Sequence, residues 1–143
     1  MNLTEKQEEI IQEFEVFDDW MEKYEYIIDL GKDLPKIDED HKTEDRLIEG
    51  CQSRVWLDSH FDNGKMHFTA DSDAIITKGI IGLLIRVLDQ ESPESIAKAD
   101  LFFIGRIGLQ EHLSPTRANG LLGMVKRLKL EAIKHISAAS CMN

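Results

Sequence analysis

The chain has two thiols, Cys51 and Cys141, and the first lies in a stretch, residues 47–57 (LIEGCQSRVWL), that could support sulfur chemistry. A thiolate is a nucleophile, and a polar neighbour such as Gln52 is unusual beside a cysteine that serves only to pack. Gly50 tolerates backbone conformations that other residues resist, so the segment can change shape. These residues leave two interpretations of Cys51: a reactive thiol on a turn, or a buried structural cysteine.

Reactions that need a second group beside Cys51 find little support in the sequence. Zinc takes about four ligands, often in close pairs, and neither C-x-x-C nor H-E-x-x-H occurs, although Cys51 with distant histidines stays open. A cysteine hydrolase would use His112 or His60 as the base, without any oxyanion-hole motif. Dithiol redox chemistry needs a nearby resolving cysteine, and Cys141 is expected to be an incidental terminal thiol. A single thiol that accepts a group is the remaining chemistry.

Composition limits the class of protein and of partner. The chain has 143 residues with a net charge of −10, and it is expected to form one domain over residues 1–143. An acidic chain repels phosphate backbones and anionic lipid, so we expect neither nucleic acid nor membrane as a partner. The polar N-terminus and the low cysteine content favour the reducing cytoplasm.

Apolar periodicity predicts helices on both sides of a short β region. Gly31 follows the apolar stripe of the second helix and is expected to end that helix as its C′ residue. Residues 72–91 are apolar on almost all sides, as a central helix would be, and either Asp71 or Ser72 is expected to cap it. Gly79 and Gly82 within it are expected to allow close packing.

The last helix is predicted to begin at Ser114-Pro115, because a capping serine followed by proline is a common helix start. It is expected to continue to about Ala138. Its predicted buried side consists of Leu121, Leu122, Val125, Leu128 and Ile133.

The β region between the helices carries Cys51. Val55 and Leu57 alternate with polar side chains, and Asp62-Asn63-Gly64 is a strong signal for a two-residue hairpin turn. Residues 46–48 are expected to form a short edge strand, which places Cys51 at the turn between the first and second strands. The order of elements predicts an α+β fold: a small antiparallel three-stranded sheet with helices packed on it.

Four blocks of the sequence, in order and in register, resemble the SufE-like cysteine desulfuration proteins, a family that includes CsdE. The most specific block is residues 48–56, IEGCQSRVW, which resembles the family signature G-C-Q-S-x-V-W. The other blocks are residues 20–35, 70–79 and 112–121. The resemblance therefore covers nearly the whole chain.

The resemblance implies an α+β fold shared with IscU-type scaffold proteins and the role of a sulfur acceptor. A SufS-type, pyridoxal-phosphate-dependent cysteine desulfurase would transfer persulfide sulfur to Cys51, which would pass it toward iron–sulfur cluster assembly at a SufB-containing scaffold. In this scheme the chain needs no cofactor of its own, stimulates the desulfurase, and has no independent turnover. Its cysteine loop would lie over an apolar cavity and turn outward to react. The resemblance does not distinguish the SufE branch from the CsdE branch, or a monomer from a homodimer.

Supporting residues also follow from the resemblance. Arg117 matches an arginine of the last block and is expected to orient the cysteine loop or the partner; the alternative is a surface arginine in the first helical turn. Asp71 and Asp73 match an acidic pair at the central helix, where capping is the alternative. Arg86 interrupts the apolar pattern and is expected to reach the surface. The alternative function is a metal- or cluster-binding scaffold that uses Cys51 and histidines.

Overall fold

The computed structural model describes residues 2–51 and 53–142, with the backbone alone described from residue 137 onward. Its elements, in chain order, are α1 (Leu3–Glu15), α2 (Trp20–Gly31), β1 (Val55–Asp62), β2 (Lys65–Ser72), α3 (Ile75–Leu88), α4 (Pro93–Lys98), α5 (Phe103–Arg106) and α6 (Pro115–Met142). Short 3₁₀ turns precede β1 and α6. The predicted α+β class is confirmed.

The hairpin forms where the turn signal placed it. β1 and β2 pair antiparallel along their whole length, from Val55 opposite Ser72 to Asp62 opposite Lys65. Asn63 and Gly64 of the turn have φ values of 53° and 77°. A two-residue turn that matches the twist of the strands requires such positive values, and these residue types tolerate them.

The prediction of three strands is wrong, because the described part of the chain has a sheet of two strands. The expected edge strand contributes one isolated bridge, Leu47 opposite Trp56, and a hydrogen bond from the Ile48 N–H to the Val55 carbonyl at 2.8 Å. The residues immediately before it, Glu44–Arg46, form a 3₁₀ turn, so their backbone is not extended and cannot pair as a strand. Pairing therefore stops after a single bridge.

α3 is the central helix, with ten of its fourteen residues buried. α2 crosses it at Gly79, where an added Cβ would lie 2.1 Å from the Ile27 carbonyl oxygen, so the expected packing role of Gly79 is confirmed. Gly82 has no close contact, because its nearest neighbour would be 3.8 Å from a Cβ. Across the described residues, no helix combines the length and the apolarity needed to cross a bilayer.

Gly31 is the last helical residue of α2 rather than its C′ residue. Its φ is not in the left-handed region, and a Cβ there would lie 2.9 Å from the Gly79 amide nitrogen. The absence of a side chain therefore serves the contact between α2 and α3. The sequence pattern of a helix-ending glycine and that of a packing glycine are the same, which is why this prediction is wrong.

Ion pairs connect α3 to α1 at the surface. Arg86 reaches out of the apolar helix, as expected, and its guanidinium contacts Glu9 at 3.2 Å and Glu13 at 2.9 Å. The hydrogen bond from Arg86 lowers the pKa of Glu13 below its usual value. Burial, together with the hydrogen bond to Glu13, raises the pKa of Tyr26 to about 12. Through Glu13, these contacts connect α1 to α3 and to α2.

Candidate functional site

Cys51 lies half-buried on the loop that precedes β1, against the first turns of α6. Its thiol donates a weak hydrogen bond to the Gly120 carbonyl, with an S···O distance of 3.6 Å. Beside it is a cavity of about 60 Å³. The residues that line this cavity with Cys51 are Ser53, Thr77, Ile80, Thr116, Arg117, Gly120 and Met124. Such a space holds a group of a few atoms at most.

Partial burial sets the protonation state of the site. Desolvation raises the pKa of the Cys51 thiol, because burial disfavours the charged thiolate. The thiolate is the nucleophilic form, so this position of the loop disfavours the reactive state of Cys51. The predicted residue Arg117 lies on the rim of the same cavity and is exposed. In the described ranges no carboxylate forms an ion pair with its guanidinium.

Two glycines of α6 pack directly against the cysteine loop. A Cβ at Gly120 would lie 3.4 Å from the Cys51 sulfur, and a Cβ at Gly123 would lie 2.7 Å from the Glu49 carbonyl oxygen. The loop therefore rests directly on the helix backbone. The sequence prediction missed Gly123; the available signal was a pair of glycines three residues apart in a predicted helix, each costing about 1 kcal/mol relative to alanine.

The two ends of the loop are held firmly. Before Cys51, the Arg127 guanidinium of α6 donates to the carbonyls of Asp45 at 2.7 Å and Leu47 at 3.0 Å. After it, the Arg54 N–H donates to the Asp73 carboxylate at 3.0 Å, and the Asp73 N–H donates to the Arg54 carbonyl at 3.2 Å. The sequence prediction missed Arg127, because only the fold brings it to the loop.

The middle of the loop, residues 49–53, is bonded lightly; Gln52 within it lies outside the described residues. Gly50 has φ of 90°, a conformation that strains other residue types, and nothing lies within 4 Å of the position of a Cβ. Among the described residues of this segment, one side-chain hydrogen bond is formed, from the Cys51 thiol to the Gly120 carbonyl. Gln52 apart, the described hydrogen bonds of this segment are thus fewer than those that hold its two ends.

Asp71 does not cap α3, and neither does Ser72, because the N-cap residue is Ala74. Asp71 instead pairs with Lys42 at 2.7 Å and Lys78 at 3.2 Å. Burial acts to raise the pKa of Asp71, but the hydrogen bonds to Lys42, the Ser72 N–H and Lys78 outweigh it and leave that pKa below its usual value. Asp71 therefore holds the segment before the loop against the hairpin.

Comparison with known proteins identifies the family. The family model for SufE, the Fe-S metabolism associated domain, matches residues 8–132 of this chain. The chain belongs to the SufE family. This confirms the resemblance drawn from the sequence blocks and associates the protein with iron–sulfur metabolism.

Curated relatives carry SufE-like names. A SufE-like protein of Rhizobium etli is 41% identical over 130 residues, which cover 87% of this chain and 88% of the relative. One of Rhizobium meliloti is 38% identical over 130 residues, covering 87% and 93%. The SufE-like protein 1, chloroplastic/mitochondrial, of Arabidopsis thaliana is 36% identical over 132 residues, covering 92% of this chain and 36% of that longer protein.

A solved structure shares the fold. The solution structure of a hypothetical protein from Thermus thermophilus superposes with a TM-score of 0.76 over 92% of this chain and 96% of that one. Its sequence identity is 22%, so the likeness extends to the fold alone.

The histidines of this SufE-family chain lie away from Cys51. His112 stacks on Trp20 with 4.1 Å between ring centroids, and His60 stacks on His67 at 4.8 Å. Neither lines the Cys51 cavity, so the geometry does not supply the base that a cysteine hydrolase would need. Among the described residues, no three His, Cys, Asp or Glu side chains form a group that could hold a metal ion. The scaffold alternative therefore gains no support from this geometry.

Two residues of the sequence analysis remain without a structural account. Gln52 of the signature and the side chain of Cys141 lie outside the described residues. The expectation that Cys141 is an incidental terminal thiol therefore stays a prediction.

Proposed function

We propose that this SufE-family protein is a cytoplasmic sulfur acceptor that takes persulfide sulfur from a SufS-type, pyridoxal-phosphate-dependent cysteine desulfurase onto Cys51. It passes the sulfur toward iron–sulfur cluster assembly at a SufB-containing scaffold and stimulates the desulfurase, with no turnover of its own. The observation that carries the proposal is the placement of the signature thiol. Cys51 is half-buried in the lightly bonded middle of a loop whose ends are anchored.

The transfer step is an exchange between a thiolate and a persulfide. The Cys51 sulfur attacks the outer sulfur of the donor persulfide and forms a new S–S bond to it. The S–S bond within the donor breaks, and the donor cysteine leaves as a thiolate with the electron pair. The proton lost by Cys51 balances the one that the donor thiolate later takes from solvent. The sulfane sulfur changes carrier, and no outside oxidant or reductant is consumed.

Two positions of the loop reconcile protection with reactivity. Against Gly120 the thiol is half-buried and its pKa is raised, which favours the unreactive form. Turned outward, Cys51 leaves the cavity and meets water, where its pKa falls and the thiolate becomes more populated. Arg117 is exposed on the rim of the cavity, where both the cysteine loop and a docked partner can reach its guanidinium. Arg117 is therefore assigned a supporting role, in which it orients the loop or the partner.

Mass analysis of the sulfur-loaded chain tests the proposal. After incubation with a cysteine desulfurase and free cysteine, the wild-type chain should gain the mass of one sulfur atom, reversible with a reductant. Cys51→Ser should gain none, because the attacking sulfur is missing. Cys141→Ser is the matched control and should gain sulfur as the wild type does. Sulfur uptake by Cys51→Ser, or its loss in Cys141→Ser, would show that the acceptor is assigned to the wrong thiol.

The same mixture reports on stimulation. Sulfide release by the desulfurase in the presence of a reductant should rise when the chain is added, because reduction of the Cys51 persulfide regenerates the acceptor. The rise should disappear with Cys51→Ser. If the wild type and Cys51→Ser raised sulfide release equally, Cys51 would have no role in turnover of the donor.

A further inference from the structure

One face of α6 is apolar, basic and uncovered. Leu122, Leu130 and Ile133 are 54%, 43% and 44% exposed, although apolar periodicity predicts that Leu122 and Ile133 are buried. They are three of the seven large hydrophobic side chains that are exposed in the described residues. Lys126 stands between Leu122 and Leu130 at four-residue spacing, so the three share one stripe of the helix. Exposed apolar side chains grouped in this way mark an interaction surface.

This stripe borders a groove that ends at the cysteine loop. The groove has a volume of about 720 Å³ and lies between Glu49 and Gly50 of the loop and Lys126, Arg127, Leu130 and Lys134 of α6. We call it the α6 groove. A binding partner in it would touch the residue directly before Cys51, and its size suits a few side chains of a docked peptide segment.

The charge of the α6 groove is opposite to that of the chain. Three cations and one carboxylate line it, whereas the whole protein carries a net charge of −10. Glu131, beside the groove, contacts Arg127 at 3.0 Å and Lys134 at 3.3 Å. No ion pair of Lys126 occurs within the part of the chain that the structure describes. A positive groove with apolar side chains complements a segment that carries carboxylates beside apolar residues.

We propose that the α6 groove is the docking site for an acidic, amphipathic segment of the sulfur donor. The proposal rests on the function proposed above and names the partner contact that starts the transfer. The donor meets the chain in its reduced form, with Cys51 resting against Gly120 and the loop forming one wall of the groove. A segment seated there presses on Glu49 and Gly50. Docking is thereby coupled to the outward turn of Cys51, because Gly50 is the lightly held point of that wall.

Saturation kinetics with the donor test this proposal. The rate at which the chain gains sulfur is measured by intact mass against increasing concentrations of a pyridoxal-phosphate-dependent cysteine desulfurase. Leu130→Asp should raise the half-saturating donor concentration about tenfold, since it removes apolar contact and adds repulsion. Lys126→Glu should raise it about fivefold and weaken its dependence on salt. The maximal rate should stay within about twofold of wild type, because neither residue touches the reacting sulfur.

Matched substitutions outside the α6 groove serve as controls. Val16→Asp places the same charge at a side chain that is 74% exposed, and Lys32→Glu reverses a lysine whose side chain is 73% exposed. Both should leave the half-saturating concentration unchanged. Equal thermal melting and equal Cys51 alkylation rates would show that all four variants are folded. Lys126→Glu alone decides the question if Leu130→Asp does not fold.

Different outcomes overturn different claims. If the wild type gains sulfur and both groove variants saturate as it does, the docking site is wrong and the acceptor function stands. If the groove variants load normally but deliver sulfur poorly to the scaffold, the groove serves the next acceptor and the assignment to the donor is wrong. If the wild type gains no sulfur from the desulfurase, the acceptor function fails, and the docking partner fails with it.

Discussion

In the described part of the chain, two helix glycines each allow a backbone carbonyl to lie directly against the helix, and the two carbonyls belong to different kinds of segment. On α3, a Cβ at Gly79 would lie 2.1 Å from the Ile27 carbonyl oxygen, which belongs to another helix. On α6, a Cβ at Gly123 would lie 2.7 Å from the Glu49 carbonyl oxygen, which belongs to the cysteine loop. The same close approach therefore joins two packed helices at one point and holds the cysteine loop against a helix at the other.

The bonding around each carbonyl explains this difference. Ile27 is fully buried in α2, so its carbonyl cannot retreat without displacing a packed helix. Glu49 precedes Gly50 at the lightly bonded middle of its loop, between the anchors made by Arg127 and Asp73. An added methyl at Gly79 would have to be accommodated by the packed core, whereas we expect one at Gly123 to be accommodated by a shift of the loop.

Gly79→Ala should have the largest effect on stability. The added methyl overlaps a carbonyl that cannot move, so we expect the free energy of unfolding to fall by about 3 kcal/mol. Chemical denaturation with a circular dichroism readout measures this loss. A loss below about 1 kcal/mol would mean that α2 can shift, and the contrast between the two contacts would disappear.

Gly82→Ala is the matched control in the same helix. Its Cβ would have no neighbour closer than 3.8 Å, which is ordinary contact. The substitution should raise the free energy of unfolding by about 0.5–1 kcal/mol, because alanine favours the helix. A large loss here would trace the effect at residue 79 to the replacement of any glycine in α3 rather than to the contact with Ile27.

The elements that the sequence predicts well are those specified by neighbouring residues. The hairpin follows from Asn63-Gly64 and the alternation around it, and the central helix follows from its apolar segment. The third strand was not predictable, because the outcome at residues 46–48 depends on competition with a 3₁₀ turn. Leu122 and Ile133 fit the apolar period of α6 but find nothing to pack against, and periodicity does not reveal which face is covered.

The candidate site likewise contains some residues that the sequence reveals and others that it does not. Cys51 and Arg117 were identified from the sequence blocks, and they line one cavity. Arg127 and Gly123 act on the loop from far along the chain, so their part depends on tertiary contacts that local patterns do not contain. Either Asp71 or Ser72 is expected to cap α3, but the helix begins later, after Ala74, and the Asp71 carboxylate pairs with Lys42 and Lys78 instead.

Gly123→Ala should release the thiol rather than unfold the protein. An overlap that costs the closed loop about 1 kcal/mol would raise the population of the open loop about fivefold, and the rate of Cys51 alkylation by iodoacetamide with it. Stability should stay within about 1 kcal/mol of wild type, since the gain in helix propensity offsets part of the overlap. The measurement uses the Cys141→Ser background, so that one thiol is counted.

Gly82→Ala also controls this experiment, because it adds a methyl to a helix glycine that does not touch the loop. Its alkylation rate should equal that of the background protein. The loop would prove to be as rigid as the α2–α3 contact if Gly123→Ala left alkylation unchanged and lost as much stability as Gly79→Ala.

The smallest expected effect is on the pH dependence of the thiol. Because burial raises the pKa of Cys51, the alkylation rate of the folded protein should rise with pH around a midpoint above the usual value of about 8.5, which the urea-unfolded chain should show. The folded state binds the proton more tightly. Its contribution to stability is therefore complete below the unfolded pKa and is lost as the pH rises through the folded pKa.

The same profile links the protonation of Cys51 to its position on α6. Gly123→Ala should move the alkylation midpoint down toward that of the unfolded chain, because a thiol displaced from the cavity is less desolvated. Gly82→Ala should not move it. Faster alkylation of Gly123→Ala with an unchanged midpoint would mean that access to the reagent changes while the surroundings of the sulfur stay the same. In that case the cavity beside Gly120, and not the position of the loop, would set the protonation state of Cys51.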